Sequence, residues 1–419
     1  MRRGTRSVLC AAAVAAWVAI GGAQSAPAER VVKIPRGTYT FAQIVRESGT
    51  AATPIRYVPE SAGAVTIRGG ELSRVSNVIL DGFTIDGRLD PEWPTKSRGV
   101  DIRDATNVTI TNSEIIGPAD IHTGYDISGK VNCAEGDGFP TQSGGIGSQN
   151  TENITFSNLV VHGFRGAGSL RGASDYVVST LFRNNFNGLS ISSNQVEIRD
   201  SVFWVHPNHL FSIQGAGRIL LVNNLLVDAQ DMFQAGVNWE GAREAHILKN
   251  TFYIPANKPC YGFTGMNLYN VKQGAIVRDN ILVNKRDGWI GISDAGLPLL
   301  SSDFNLNYSY QPKIDEYYLI DRGTKILYEE WVALSGEDKN SIVRQAPQFT
   351  DPPQYGDYSA NQWGFRIPRS VDEARSWFVL KPGSPGKNAA SDGTDVGISA
   401  VAWRDTRPKA PTNVRITSN

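Results

Sequence analysis

Val108-Thr-Ile-Thr-Asn112, Ile154-Thr-Phe-Ser-Asn158, Val196-Glu-Ile-Arg-Asp200, Leu220-Leu-Val-Asn-Asn224, His246-Ile-Leu-Lys-Asn250 and Ala275-Ile-Val-Arg-Asp-Asn280 are six versions of one phrase. Each is a short run of apolar side chains that ends on Asn or Asp, and a second apolar run follows. Alternation with a period of two marks strands. The closing residues lie 46, 42, 24, 26 and 30 residues apart, and the first two gaps read as two coils each. A repeat of roughly 20–30 residues built on short strands signals a solenoid, in which each coil covers its neighbour. Asn and Asp tolerate left-handed turns and can bond the backbone of the next coil, so identical residues would stack into a ladder. A row of ligands is the alternative use of the same residues.

A second strand precedes the Asn-bearing one in each coil. Its instances are Gly144-Gly-Ile-Gly-Ser148, Gly168-Ser-Leu-Arg-Gly172, Gly188-Leu-Ser-Ile-Ser192, Leu210-Phe-Ser-Ile-Gln214, Met232-Phe-Gln-Ala-Gly236 and Gly262-Phe-Thr-Gly-Met266. Two or three strands per coil follow, with equivalent strands stacked in parallel about 4.8 Å apart. The expected fold is all-β, a right-handed parallel β-helix over residues 29–305. A short helical segment is expected within Phe41 to Glu47. Residues 117–143 form an insertion rich in Gly, Asp and Pro, and long irregular loops in compact folds are usually functional. Residues 306–407 lose the repeat, carry a short helix at Leu327 to Leu334, and read as a segment packing on or capping the helix. Residues 408–419 read as a tail.

Composition narrows the partners. Lys plus Arg equals Asp plus Glu at 41 each, so bulk charge predicts neither nucleic-acid nor membrane affinity. Residues 1–28 read as an export signal: basic Met1-Arg-Arg-Gly-Thr-Arg6, an uncharged run from Val8 to Ile20, then small residues with Ala26-Pro-Ala28 and Ala23-Gln-Ser25 as alternative cleavage sites. The apolar run is short for a membrane span. A secreted or periplasmic monomer with no integral membrane segment after cleavage is expected. Cys133 and Cys260 remain, and could pair if the insertion folds back.

Three passages resemble the secreted pectate-lyase-like superfamily of right-handed parallel β-helices. They are Gly37-Thr-Tyr39 with Ser48-Gly-Thr50, Asn77-Val-Ile-Leu-Asp-Gly82-Phe-Thr-Ile-Asp-Gly87, and Phe378-Val-Leu-Lys-Pro-Gly-Ser-Pro385 with Asp392 to Gly397. The resemblance spans about residues 31–400 and implies the fold. It implies no single activity, because such proteins include polysaccharide lyases, glycoside hydrolases, epimerases, esterases and adhesins. The paired aspartates and Gly-His-Gly of polygalacturonases, the Asp-Pro-His-Asp of alginate epimerases and the Val-Asp-His strand of pectate lyases are absent, so no catalytic residue carries over.

Candidate chemistry comes from placing the coils in register. With Leu189, Phe211, Phe233 and Phe263 pointing inward, Ser190, Ser212, Gln234 and Thr264 form one outward column, and Arg171, Ser192, Gln214, Gly236 and Met266 the next. Asn187, His209, Asp231 and Tyr261 form a third at spacings of 22, 22 and 30 residues. That third column faces out only if the turn breaks the period of two. His209 with Asp231 would make a base oriented by a carboxylate, Tyr261 could donate a proton, and Arg171 could neutralise a uronate. Those are the groups β-elimination needs, so a polysaccharide lyase acting on an acidic polysaccharide is the leading expectation. Asn187, Ser190, Ser212, Gln214, Gln234, Arg165 and Tyr125 would bind substrate. His206 competes with His209, Arg165 with Arg171, and Lys249 reads as solvated. A glycoside hydrolase using Asp228 and Asp231, or a non-catalytic glycan-binding protein, are the alternatives. No cofactor can be read from the sequence. Ca²⁺ could sit among Asp120, Asp126, Glu135 and Asp137, which lack EF-hand spacing.

Overall fold

The computed structural model describes residues 28–118, 143–185, 187–204, 210–227, 237–240, 243–254, 266–268, 271–284, 290–310, 317–319, 323–354 and 366–399. Three long sheets run the length of the chain. Sheet A has eleven strands, from Arg30–Ile34 to Leu300–Asp303. Sheet B has twelve, from Gly37–Tyr39 to Ile342–Val343. Sheet C has eleven, from Gly70–Ser73 to Thr324–Ile326. Neighbours in a sheet come from successive coils and pair in parallel, except Thr324–Ile326, which turns back antiparallel on Tyr317–Leu319. The chain passes A to B to C and round again, which is a parallel β-helix. Alternation explains the core: Val78, Val108, Ile154, Val196, Ile219, Ala245 and Val277 of sheet A are all buried.

The spacing of the repeat is corrected at its start. The strand Glu152–Ser157 pairs directly with Thr106–Thr111, so the 46-residue gap is a single coil that carries the insertion. The next gap does hold two coils, with Ser174–Val178 between.

From Asp81 to Leu306 every passage from sheet A to sheet B takes two residues. The first is left-handed: Asn112, Asn158, Ser179, Asp200, Asn223, Lys249, Asp279 and Phe304 have φ between 48° and 59°. The second turns inward. There Asn224, Asn250, Asn280 and Asn305 form a buried ladder, each side-chain amide of the first three donating to the next Asn oxygen at 3.0, 3.0 and 3.1 Å. The repeated Asn or Asp of the sequence therefore occupies two adjacent positions. Asn112, Asn158 and Asp200 make the turn, whereas Asn224, Asn250 and Asn280 make the ladder.

Asp338 ends this ladder. Its carboxylate accepts from Asn305 Nδ2 (3.1 Å), Ser302 Oγ (2.9 Å), Ser341 Oγ (2.6 Å), Trp331 Nε1 (3.1 Å) and Tyr317 Oη (3.3 Å). Trp331 lies on helix α2 (Tyr328–Ser335) once α1 (Phe41–Ile44) is counted at the other end. Phe41, Ile44 and Trp331 are all buried in the main core, so each helix closes one end of it.

Residues 349–354 and 366–398, the returning segment, lie along the outside of sheet B. Phe349, Trp377, Phe378, Leu380, Val396 and Ile398 form a second core with Leu181, Val202, Trp204, Leu225, Val227 and Tyr253. Arg375, on α3 (Val371–Ser376), is 1% exposed and donates to the Asn223 and Ser399 carbonyls at 3.0 and 2.8 Å. Lys249, expected in solvent, is instead paired with Asp392 at 2.5 Å. Despite the cost of burial, bonds from Lys249 and Thr394 hold the Asp392 carboxyl at about 2.

Candidate functional site

One corner differs from the other two. From Asp81 onward passages from A to B take two residues, and those from C to A run from two, as at 104–105, to seven, at 293–299. Passages from B to C include 87–96, 117–142, 205–210, 228–236, 254–265, 285–289 and 310–316. Long connections on a regular scaffold are where binding residues collect. Sheet B, on one side of that corner, is covered from Leu181 onward by the returning segment. Sheet C, on the other, is the candidate floor.

Its outward positions are small. Asp101, Gly147, Ser169, Ser190 and Ser212 are register neighbours on five successive coils, and the column continues through Asn238 and Asn267. The three serines are half-buried. A second column, towards the B-to-C corner, holds Arg98, Gly144, Gly166 and Asn187. Two buried positions separate the columns, as in Gly188 and Leu189 between Asn187 and Ser190. The period of two is therefore broken, which is the condition for Asn187 to face outward. Gly188 shows why: a Cβ there would stand 1.8 Å from the Leu210 carbonyl oxygen. The two columns run parallel to the helix axis, about 4.8 Å per coil, and the strip they flank is the candidate trough.

Charge lies on its edges. Arg103 is bound to Asp101 at 2.7 Å and lies 3.5 Å from Glu71. Arg98 binds Asp90 and Glu92. Arg171 is exposed, and its Nε donates to Ser169 Oγ at 3.0 Å. It forms no ion pair with a carboxylate among the described residues, so its charge stands over the serine floor. Arg165 is half-buried, and its backbone N–H donates to Ser143 Oγ at 2.7 Å.

Beneath Arg171 lies a residue that sequence reasoning missed. Asp175 is fully buried at a core position between Ile154 and Val196. It accepts from Ser193 Oγ at 2.5 Å and from the Gly172 N–H at 3.1 Å, while its Oδ1 has no partner. Burial raises its pKa against the opposing bonds from Ser193, Ser148 and Gly172. Ser148 also accepts from the Arg171 backbone N–H at 3.0 Å, which ties the backbone of Arg171 to the surroundings of the buried acid. The available signal was an acid at an apolar step of the repeat.

Of the expected site residues, the structure brings together Arg171, Asn187, Ser190, Ser212 and Arg165 on sheet C or its edge. Leu189 and Phe211 point inward as expected. The register then departs from expectation. Phe211 pairs with Val237 and Val237 with Met266, so Phe233 and Phe263 are not their equivalents. Ser212 therefore neighbours Asn238 and not Gln234, and Met266, expected outward, is fully buried. The even spacing that grouped His209 with Asp231 and Tyr261 loses its basis. His206, His209, Asp228, Asp231, Gln234, Tyr261, Tyr125 and the acidic residues of the insertion lie outside the described residues, as do Cys133, Cys260, the Gln214 side chain and residues 1–27. Two histidine–carboxylate contacts are described, on other faces: His162 to Glu114 at 3.1 Å on sheet B, and His246 to Glu244 at 2.7 Å on sheet A. The bond from His162 holds the Glu114 carboxyl below its ordinary value despite partial burial. Among the described residues no three His, Cys, Asp or Glu side chains are grouped as metal ligands, and no helix is long and apolar enough to cross a membrane.

No protein-family model and no curated protein matches this chain. Solved structures similar to it are parallel β-helix proteins. A mannuronic acid specific polysaccharide family 6 lyase from human gut microbiota matches at 13% identity and TM-score 0.40, over 73% of this chain and 80% of that one. A family 6 alginate lyase matches at 13% identity and TM-score 0.31, over 93% and 58%. A Streptococcus pneumoniae surface protein and adhesin matches at 12% identity and TM-score 0.28, over 75% and 91%. The fold assignment itself rests on the registers of the three sheets.

Proposed function

We propose that this chain is an exported polysaccharide lyase that lays an acidic, uronate-containing polymer along sheet C and cleaves it by β-elimination. The observation that carries the reading is Arg171, an exposed guanidinium without a carboxylate partner among the described residues, set beside a floor of Ser169, Ser190 and Ser212. A uronate carboxylate paired with Arg171 makes the C5 proton more acidic, since the charge that develops on its removal is already partly neutralised. A base then takes that proton. The C5–H electrons form the C4–C5 double bond, the C4–O4 bond breaks, and O4 accepts a proton from an acid. His209 is our choice of base, because it directly precedes Leu210, whose carbonyl accepts from the Leu189 N–H of the floor at 2.9 Å. Tyr261 and Asp231 are proposed as the acid and the group that orients the base because they fall in the next two B-to-C passages, 254–265 and 228–236, and not because of register. Asn187, Ser190 and Ser212 offer hydrogen bonds to sugar hydroxyls.

Arg171→Ala is expected to lower kcat/KM on the polyuronate about 100-fold, in line with the loss of one charge-stabilising donor. Arg171→Lys should keep part of the activity, because charge survives while fork geometry is lost. Product absorbing in the unsaturated-uronate band is the readout, across a panel of acidic polysaccharides. Reducing ends without that absorbance would select a hydrolase. Retention of the polymer with no turnover would select a binding protein.

A further inference from the structure

The B-to-C passage at residues 87–96 holds an exposed aromatic ring. Six large apolar side chains are exposed among the described residues: Val31, Leu89, Trp93, Leu299, Leu327 and Leu334. Trp93, 40% exposed, is the aromatic one, and Leu89 stands in the same passage. Single exposed apolar side chains are ordinary on a protein surface, so the case for Trp93 rests on its ring chemistry and on where its loop is held.

The loop is fixed before any ligand arrives. The Asp90 side chain is wholly buried and accepts from the backbone N–H groups of Glu92 (3.0 Å) and Arg98 (2.9 Å). Arg98 binds it again through Nε at 3.0 Å and Nη2 at 3.1 Å, and the same Nη2 reaches Glu92 at 2.5 Å. Lys96 pairs with Glu92 at 3.0 Å, and the Trp93 N–H donates to the Asp90 carbonyl at 2.9 Å. Arg98 is itself an outward residue of sheet C, in register with Gly144, and that column continues through Gly166 and Asn187. Its grip on Asp90 and Glu92 fastens the loop to the head of that column. Trp93 follows Glu92 directly. Such preorganisation lowers the ordering cost of binding.

We propose that Trp93 is a stacking platform for one sugar ring of the glycan, forming an uncharged subsite at the N-terminal end of the trough. An indole offers a broad apolar face with little rotamer freedom to lose, and the C–H face of a pyranose is its complement. Ring stacking needs no carboxylate, so this subsite reads sugar shape while Arg171 reads charge. It rests on the reading that the glycan lies along sheet C.

The test measures Kd by calorimetry for an acidic oligosaccharide and for its carboxyl-reduced, neutral form. Trp93→Ala should weaken both about ten-fold, the scale of one aromatic contact, and Trp93→Phe should restore most of it. Arg171→Ala should weaken only the acidic form. Thermal unfolding should stay at the wild-type midpoint for Trp93→Ala, since the ring is exposed. If Trp93→Ala binds both forms like wild type while Arg171→Ala loses the acidic one, the platform is wrong and the trough stands. If neither substitution matters, or the wild type binds neither form, platform and trough fall together.

Discussion

Asp338→Ala is expected to cost about 3 kcal/mol, at the upper end of the usual range for a single substitution. Five donors converge on this carboxylate, from sheet A, sheet C, the following turn and α2. Alanine would leave Trp331 Nε1–H without an acceptor in a buried site, at about 1–3 kcal/mol, while Asn305 Nδ2 keeps the Val277 carbonyl and Ser302 Oγ. The three hydroxyls can re-pair in part. The stacked Tyr317 and Trp331 rings, 4.4 Å apart, should lose their fixed geometry. Denaturant unfolding followed by near-ultraviolet circular dichroism reads both effects, and a midpoint unchanged from wild type would sink the claim.

The same residue predicts a pH dependence. Burial raises the Asp338 pKa even against its donors, from an ordinary 3.8. Folding then favours the protonated acid. The stability from that preference is complete below the ordinary value and is lost as pH rises through the folded one. Asp338→Asn cannot ionise, so the difference in stability between wild type and this variant should move in the variant's favour as pH rises from about 4 to 7. A difference independent of pH would show that the carboxyl does not titrate there.

The second large effect is expected at Trp204. It is fully buried, lies 5.3 Å from the Trp377 ring and 6.3 Å from Phe378, and donates to the Arg366 carbonyl at 2.9 Å. Arg366 in turn stacks 3.6 Å over Trp377. Trp204→Ala should cost about 3–5 kcal/mol, and the loss should fall mainly on the returning segment. Limited proteolysis should cut within residues 366–399, while the far-ultraviolet spectrum of the coils persists. Continued protection of that segment would mean that Arg375 and the remaining apolar contacts hold it without Trp204.

The solenoid was legible because its turn chemistry is local. The repeated Asn or Asp marks the A-to-B corner, although Asn112, Asn158 and Asp200 take its left-handed position and Asn224, Asn250 and Asn280 its inward one. The register of sheet C was not equally legible. Met232-Phe-Gln-Ala-Gly236 has the look of the Gly-led strands, but the pairing strand is Val237–Glu240. Alternation gives no phase across a connection of variable length. Residues that matter by exception left weaker traces. Asp175 reads as a solvent-facing charge unless its neighbours Ile154 and Val196 are already known. Trp93 sits where no period applies. Asp338 acquires its role from partners up to 36 residues away.

The returning segment also bears on how the molecule comes into being. Coils that touch only their neighbours can form one after another, since each closes a loop of a few tens of residues. The clasp cannot form in that way. The Trp204 bond to Arg366 spans 162 residues, and the bond from the Ser399 N–H to Asn223 spans 176. Such distant pairings raise contact order and are made late. A vectorially emerging chain could thus stack its coils while the outer apolar strip of Leu181, Val202, Trp204 and Leu225 still lies bare. During that interval the strip is the surface most open to aggregation or chaperone capture.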